Sequence, residues 1–255
     1  MSGTRSASPK APVTEPDWAR TTLLLVAHGI EGELGAAEVL RRSLAATGRF
    51  GTVRAACHKG RPDLTEVLDE LGDGPIVVAP LLMAEGWTLE AIRARLAGHR
   101  RASTCTLTPS IGSHPELWRL VQDHALARCS ALGWHPAQTT LLLAAHGTPR
   151  HPGAAASAKD QAEHLAEAGP FADVRLGFLD QAPDLEEVVA GLGPGPAIVA
   201  GFFFDNGPHG RDDVSEALTA ASGPIAYLGA LGADAGILPY LLERVRLARP
   251  LPIIA

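Results

Sequence analysis

Residues 21–29 read TTLLLVAHG and residues 139–147 read TTLLLAAHG, so one sentence occurs twice in the chain. Each is an apolar run that halts on a His-Gly pair, His28-Gly29 and His146-Gly147. Self-similarity at a wide, fixed offset marks a repeated architectural unit. A short continuous apolar run closed by glycine has the pattern of a strand covered on both faces. The duplication also supplies an internal control. A residue needed for folding recurs in both copies, whereas one needed for chemistry is free to occur in one.

Outward from these runs, both halves keep one rhythm. Strands are predicted over 23–27 and 141–145, then Ala/Leu/Glu-rich helices over 35–47 and 154–168. Second strands follow over 52–57 and 173–179. The matched triplets Pro62-Asp63-Leu64 and Pro183-Asp184-Leu185 then open further helices, because proline and acidic residues suit a first helical turn. Third strands are predicted over 76–82 and 197–204, each followed by a glycine-containing loop and a helix. Fourth strands near 104–107 and 225–228 precede a last helix. Apolar strands alternating with helices predict α/β architecture: two tandem doubly wound parallel-sheet domains, Rossmann-like in layering, facing a central cleft. The expected bounds are a disordered Ser/Pro/Ala-rich tail over 1–18, a first domain over 19–135 and a second over 136–255.

Bulk properties narrow the function. The 255 residues are 46% hydrophobic, ample for two cores, and carry a formal charge of −6. That charge argues against nucleic acid or an anionic membrane as the main partner. No apolar run approaches the roughly 18 residues that span a bilayer, and the opening residues have no apolar signal core. Cys57, Cys105 and Cys129 form no C-x-x-C pair, which fits reduced thiols and a cytoplasmic location. Neither first strand is followed by a glycine-rich nucleotide loop, so no nucleotide cofactor is expected.

Read as a subtraction, the repeat isolates a candidate site. The second half places His146 after its first strand, Asp180 after its second and His209 in the loop after its third. The first half keeps His28, but Lys59 stands opposite Asp180 and Thr88 opposite His209. Ligands of such sheets bind beyond the carboxyl ends of the strands, and two imidazoles with a carboxylate there suit a divalent metal. Each residue also has a plainer reading: a strand-end histidine as a cap, His209 as an exposed ring on a Gly-Pro turn, Asp180 as a helix-entry carboxylate. Arg150, His151, Lys159 and Arg211 are placed to meet ligand carboxylates or to be a solvated surface. Phe204 is a candidate apolar wall.

The His-Gly strand ends, the segment Phe178-Leu179-Asp180-Gln181-Ala182-Pro183-Asp184-Leu185 and the Gly207-Pro208-His209 loop together resemble the class II chelatases. These are the sirohydrochlorin cobaltochelatases and ferrochelatases of the CbiX, SirB and CbiK type. The resemblance runs through nearly the whole chain from Thr21, twice over. It implies that His146 and His209 bind the incoming metal, with Asp180 at the position of an assisting Glu. The chain departs from the family pattern in three ways. His-Gly-Ser is replaced by His28-Gly29-Ile30 and His146-Gly147-Thr148, Asp180 is one methylene shorter than Glu, and the complete set lies in the second half.

The resemblance thus implies a lyase that inserts Fe²⁺ or Co²⁺, with Ni²⁺ also open, into sirohydrochlorin or a related tetrapyrrole in siroheme or cobalamin biosynthesis. Arg150 and Arg211 would meet the macrocycle's carboxylates, and a monomer or homodimer is expected. The rival reading is a non-catalytic metal or tetrapyrrole carrier on the same fold. Phosphoryl transfer through a histidine is disfavoured, because Ala27 and Ala145 stand where such enzymes place an arginine before the histidine.

Overall fold

In the computed structural model, which describes residues 17–151 and 153–251, each repeated apolar run becomes an inner strand of its own sheet. The first half runs β1 (Thr22–Ala27), α1 (Ala36–Ala46), β2 (Thr52–Cys57), α2 (Leu64–Glu70), β3 (Ile76–Pro80), α3 (Trp87–Ala97), β4 (Cys105–Leu107) and α4 (Leu117–Leu132). The second runs β5 (Thr140–Ala145), α5 (Gly153–Ala168), β6 (Asp173–Phe178), α6 (Leu185–Ala190), β7 (Ala197–Phe202), α7 (Val214–Ala217), β8 (Ile225–Ala230), α8 (Leu238–Arg246) and β9 (Arg249–Pro250). The sheets are ordered β2-β1-β3-β4-β9 and β6-β5-β7-β8. All pairs are parallel except β4–β9. Thr22 lies opposite Thr52 and Ile76, and Thr140 opposite Asp173 and Ala197, so the two copies share one register. This is the expected α/β architecture.

Strand periodicity divides the core. Successive strand side chains point to opposite faces, so Leu23 and Leu25 join Leu141 and Leu143 in one apolar core shared by both sheets. Leu24 and Val26 instead face α2 and α3, through Leu64, Leu68 and Ile92. Leu142 and Ala144 face α6 and α7, through Leu185, Val189 and Val214. All of these strand residues are fully buried, which is why the runs read as continuously apolar rather than alternating.

The last helix of each half crosses over. Helix α4 packs on α5, β7 and β8, and α8 packs on β3, while β9 extends the first sheet. Helix starts follow the matched Pro-Asp-Leu triplets. The Asp63 carboxylate accepts from the Thr65 and Glu66 amides, and Asp184 accepts from the Glu187 amide, satisfying donors that a helix N-terminus leaves open.

The elements differ from expectation most after β7. Instead of one regular helix, residues His209–Asp213 make a wide π turn, followed by the short α7 and a 3-10 turn at Leu218–Ala220. The Tyr227 hydroxyl donates to the Gly210 carbonyl within that turn. A side chain entering the hydrogen-bond ladder distorts a helix at that point. Of the expected tail, residues 1–16 lie outside the described residues, whereas Trp18 opens a 3-10 turn and packs edge-on against Phe50. Among the described residues no helix is long and apolar enough to cross a membrane.

Candidate functional site

The carboxyl ends of β1 and β5 open into a cleft of about 670 Å³ between the halves, a size suited to a small-molecule ligand. His28, His146, Asp180 and His209 all line it. Equivalent backbone bonds fix two of these positions. The Lys59 amide donates to the His28 carbonyl at 2.8 Å, and the Asp180 amide donates to the His146 carbonyl at 2.9 Å. The same bond therefore presents a lysine in one half and a carboxylate in the other.

The repeated glycine has a steric cause. Gly29 and Gly147 adopt φ of +101° and +68°, a region that costs L-residues energy. A Cβ on Gly147 would come within 2.6 Å of Gln181 Cγ and 2.8 Å of Phe178 Cδ1. On Gly29 it would collide with the Lys59 carbonyl oxygen. The His-Gly pair thus recurs because the strand end must turn against the next strand's loop. Gln181 reinforces the turn, its amide oxygen accepting from the Thr148 N–H at 2.7 Å.

His146 and His209 meet edge to face, with ring centroids 4.5 Å apart at 76°. His146 Nδ1 lies 2.7 Å from the Gly147 carbonyl oxygen. A carbonyl only accepts, so Nδ1 carries a proton, and in the neutral ring the lone pair then lies on Nε2. Asp180 Oδ2 lies 3.5 Å from the same Nδ1, behind the ring rather than beside Nε2. His209 Nδ1 donates to Asp213 Oδ2 at 2.6 Å, which likewise leaves its Nε2 free. The two imidazoles remain about half exposed. Each is thus oriented by an acceptor on Nδ1 and offers Nε2 as a donor, the arrangement that tunes metal-binding histidines. Among the described residues, no group of three or more His, Cys, Asp or Glu side chains is poised around one ion. His146, Asp180 and His209 do not close into a three-donor cage.

His28 belongs to the same cleft. Burial lowers its imidazole pKa below the ordinary 6.5, and Lys59, His146 and His209 lower it further. Its ring lies 6.2 Å from that of His58, whose pKa is also lowered, first by burial and then by Arg95. Both shifts favour the neutral imidazole. The first-half equivalent of the site keeps an imidazole but has no imidazole where His209 stands.

The flanking cations separate. Arg150 lines the cleft, and no ion pair of Arg150 is found among the described residues. Arg211 lies outside the lining and forms a two-point pair with Asp212 at 2.8 and 3.0 Å. His151 pairs with Glu90 at 3.2 Å, and Lys159 is exposed on α5. Phe204 lines the cleft, half-buried beside Phe202 and Phe203. The three cysteines are buried free thiols whose pKa burial raises, which leaves them unreactive.

Sequence reasoning overlooked three contributors. Asp213 was signalled only by its i,i+4 spacing from His209. Asp205 accepts from the Ala36 amide at 2.6 Å, tying the loop after β7 to the start of α1 in the other half. Trp87 opens α3 at the cleft rim. Neither of the last two carries a local signal.

Comparison with known proteins shows the family and the fold. The family model described as CbiX matches residues 22–127 and again 140–248. A probable sirohydrochlorin cobaltochelatase of Halobacterium salinarum is 23% identical over 87% of this chain and 89% of its own length. Among solved structures, DR2241 of Deinococcus radiodurans, a multi-domain protein with structural similarity to chelatases, superposes with a TM-score of 0.74 at 22% identity. That match covers 89% of this chain and 55% of DR2241, so the chain spans about half of that protein. The structure of CbiX described as the terminal enzyme of siroheme biosynthesis in denitrifying bacteria gives 0.69 at 26% identity, covering 89% of this chain and 98% of the other. The protein has the tandem α/β fold of the solved chelatases. It belongs to the CbiX family.

Proposed function

We propose that the protein inserts a divalent metal, Fe²⁺ or Co²⁺, into sirohydrochlorin or a closely related tetrapyrrole. The carrying observation is the His146–His209 pair, two imidazoles 4.5 Å apart with both Nδ1 atoms tied back and both Nε2 atoms free in an open cleft. The names of the relatives, a probable cobaltochelatase and a terminal enzyme of siroheme biosynthesis, support the substrate class.

Insertion exchanges one metal dication for two pyrrole N–H protons. The Nε2 lone pairs of His146 and His209 hold the metal substrate at the cleft face and yield it as ring nitrogens replace them. Two imidazoles grip a dication less firmly than the four ligands of a structural site, which favours transfer over storage. Asp180 and Asp213 act behind the imidazoles, fixing their orientation and favouring the imidazolium that forms when a released proton is taken up. Arg150 meets a carboxylate of the macrocycle, and Arg211 joins it on leaving Asp212. In this reading residues 136–255 supply the metal-handling wall and residues 19–135 the opposing one. A His/carboxylate set does not itself select iron over cobalt or nickel.

The deciding experiment offers metal-free sirohydrochlorin anaerobically with Fe²⁺, Co²⁺ and Ni²⁺ in separate reactions, followed by absorbance. Enzyme-dependent metallation beyond one turnover per chain is expected with iron or cobalt. Binding without turnover would instead establish a carrier, and no acceleration with any metal would refute the proposal.

A further inference from the structure

Trp87 stands at the position in the first half where the second half has Pro208, one residue before the Thr88–His209 equivalence. It is 60% exposed. Among the described residues, the other large apolar side chains left open, Val39, Leu132 and Leu247, do not line the cleft. An indole is among the most favourable groups to remove from water, and one left open at a concave, otherwise apolar wall marks a ligand surface. Leu81, Leu82 and Met83, which directly follow β3, line the same cleft. Trp87 is held at the rim by one edge-to-face contact with His151, at 5.4 Å and 71°. His151 is in turn fixed by Glu90 of the same helix as Trp87, so the indole is positioned without being covered.

We propose that Trp87 is the stacking wall for the tetrapyrrole, a positioning residue that holds the plane of the macrocycle toward His146 and His209. The assignment rests on the proposed function and divides labour between the halves: the second presents the metal, the first the flat surface. A conjugated macrocycle is the ligand class suited to such a wall, because aromatic stacking tolerates any substituent pattern at the ring edge. The cleft also carries Glu31, Asp180 and Asp205, so charge alone holds a polycarboxylate poorly there. Apolar contact must contribute.

The test titrates metal-free sirohydrochlorin into the wild type, Trp87→Phe and Trp87→Ala anaerobically, then measures insertion kinetics. Trp87→Ala is expected to weaken binding and raise KM together by on the order of ten-fold, as for loss of an aromatic stacking partner, with kcat within about two-fold. Trp87→Phe should restore most of the loss. Unchanged binding by Trp87→Ala, or a fall in kcat alone, overturns the assignment. A wild type that binds the macrocycle but inserts no metal refutes the chelatase reading while leaving Trp87 judged by the same binding ratio. A wild type that binds no macrocycle removes both.

Discussion

His209 Nδ1 and Asp213 Oδ2 are 2.6 Å apart across one wide helical turn. That pairing decides which nitrogen of His209 faces the cleft, and it links a distortion of local structure to the candidate chemistry. π turns concentrate at functional sites because they re-aim side chains that a regular helix would carry elsewhere.

Removing Asp213 should therefore act through His209. Asp213→Asn keeps the size but offers an amide that can also donate. We expect metal insertion to fall by roughly 10–100-fold, the usual cost of losing an outer-shell partner of a metal-binding histidine. Insertion kinetics with varied metal concentration check this. A variant indistinguishable from wild type would place His209 outside the metal path.

His146→Ala and His209→Ala should each exceed that loss and abolish measurable insertion, because each removes a free Nε2 donor. His28→Ala should leave most activity, since the first half has threonine where its sister has His209. Equal loss in all three variants would contradict a single site confined to the second half.

Gly147→Ala should destabilise the fold. The substitution combines a φ of +68° with a Cβ placed 2.6–2.8 Å from Gln181 and Phe178. The backbone conformation alone costs about 1–2 kcal/mol, and crowding against the fully buried Phe178 adds to it. Chemical denaturation should show a lower midpoint at unchanged slope. Gly29→Ala should behave alike, because its Cβ meets backbone rather than a movable side chain.

Stability should fall on acidification through the histidines. His58 and His114, the one half-buried and the other buried, both have pKa values lowered from 6.5, in each case chiefly by burial. At pH values below 6.5 the unfolded chain binds protons that the folded chain refuses, so unfolding free energy decreases as pH falls. The contribution is intact above 6.5 and is lost as pH drops toward the lowered folded values. Urea denaturation between pH 7.5 and about 5 checks the sign, with a smaller slope expected for His58→Gln.

The duplication, the central strands and the Pro-Asp-Leu helix starts are legible in the residues because they rest on local rules. Strand burial writes a continuous apolar run at 23–27 and 141–145, and an Asp N-cap writes itself one residue before the helix it caps. Subtracting one copy from the other also singled out His146, Asp180 and His209, and the same cleft holds all three. Other features are set by contacts between residues far apart in the chain. The exchange of α4 and α8 arises because a core shared by both sheets can be covered from either half, and sequence periodicity names the buried face of a helix but not its neighbour. The hydrogen bond from Tyr227 to Gly210 widens the turn that carries His209, and the tie from Ala36 to Asp205 joins the cleft's two walls. An isolated Asp205 or Trp87 looks like ordinary surface. Tertiary packing alone brings the first to a helix start in the other half and leaves the second uncovered above the cleft.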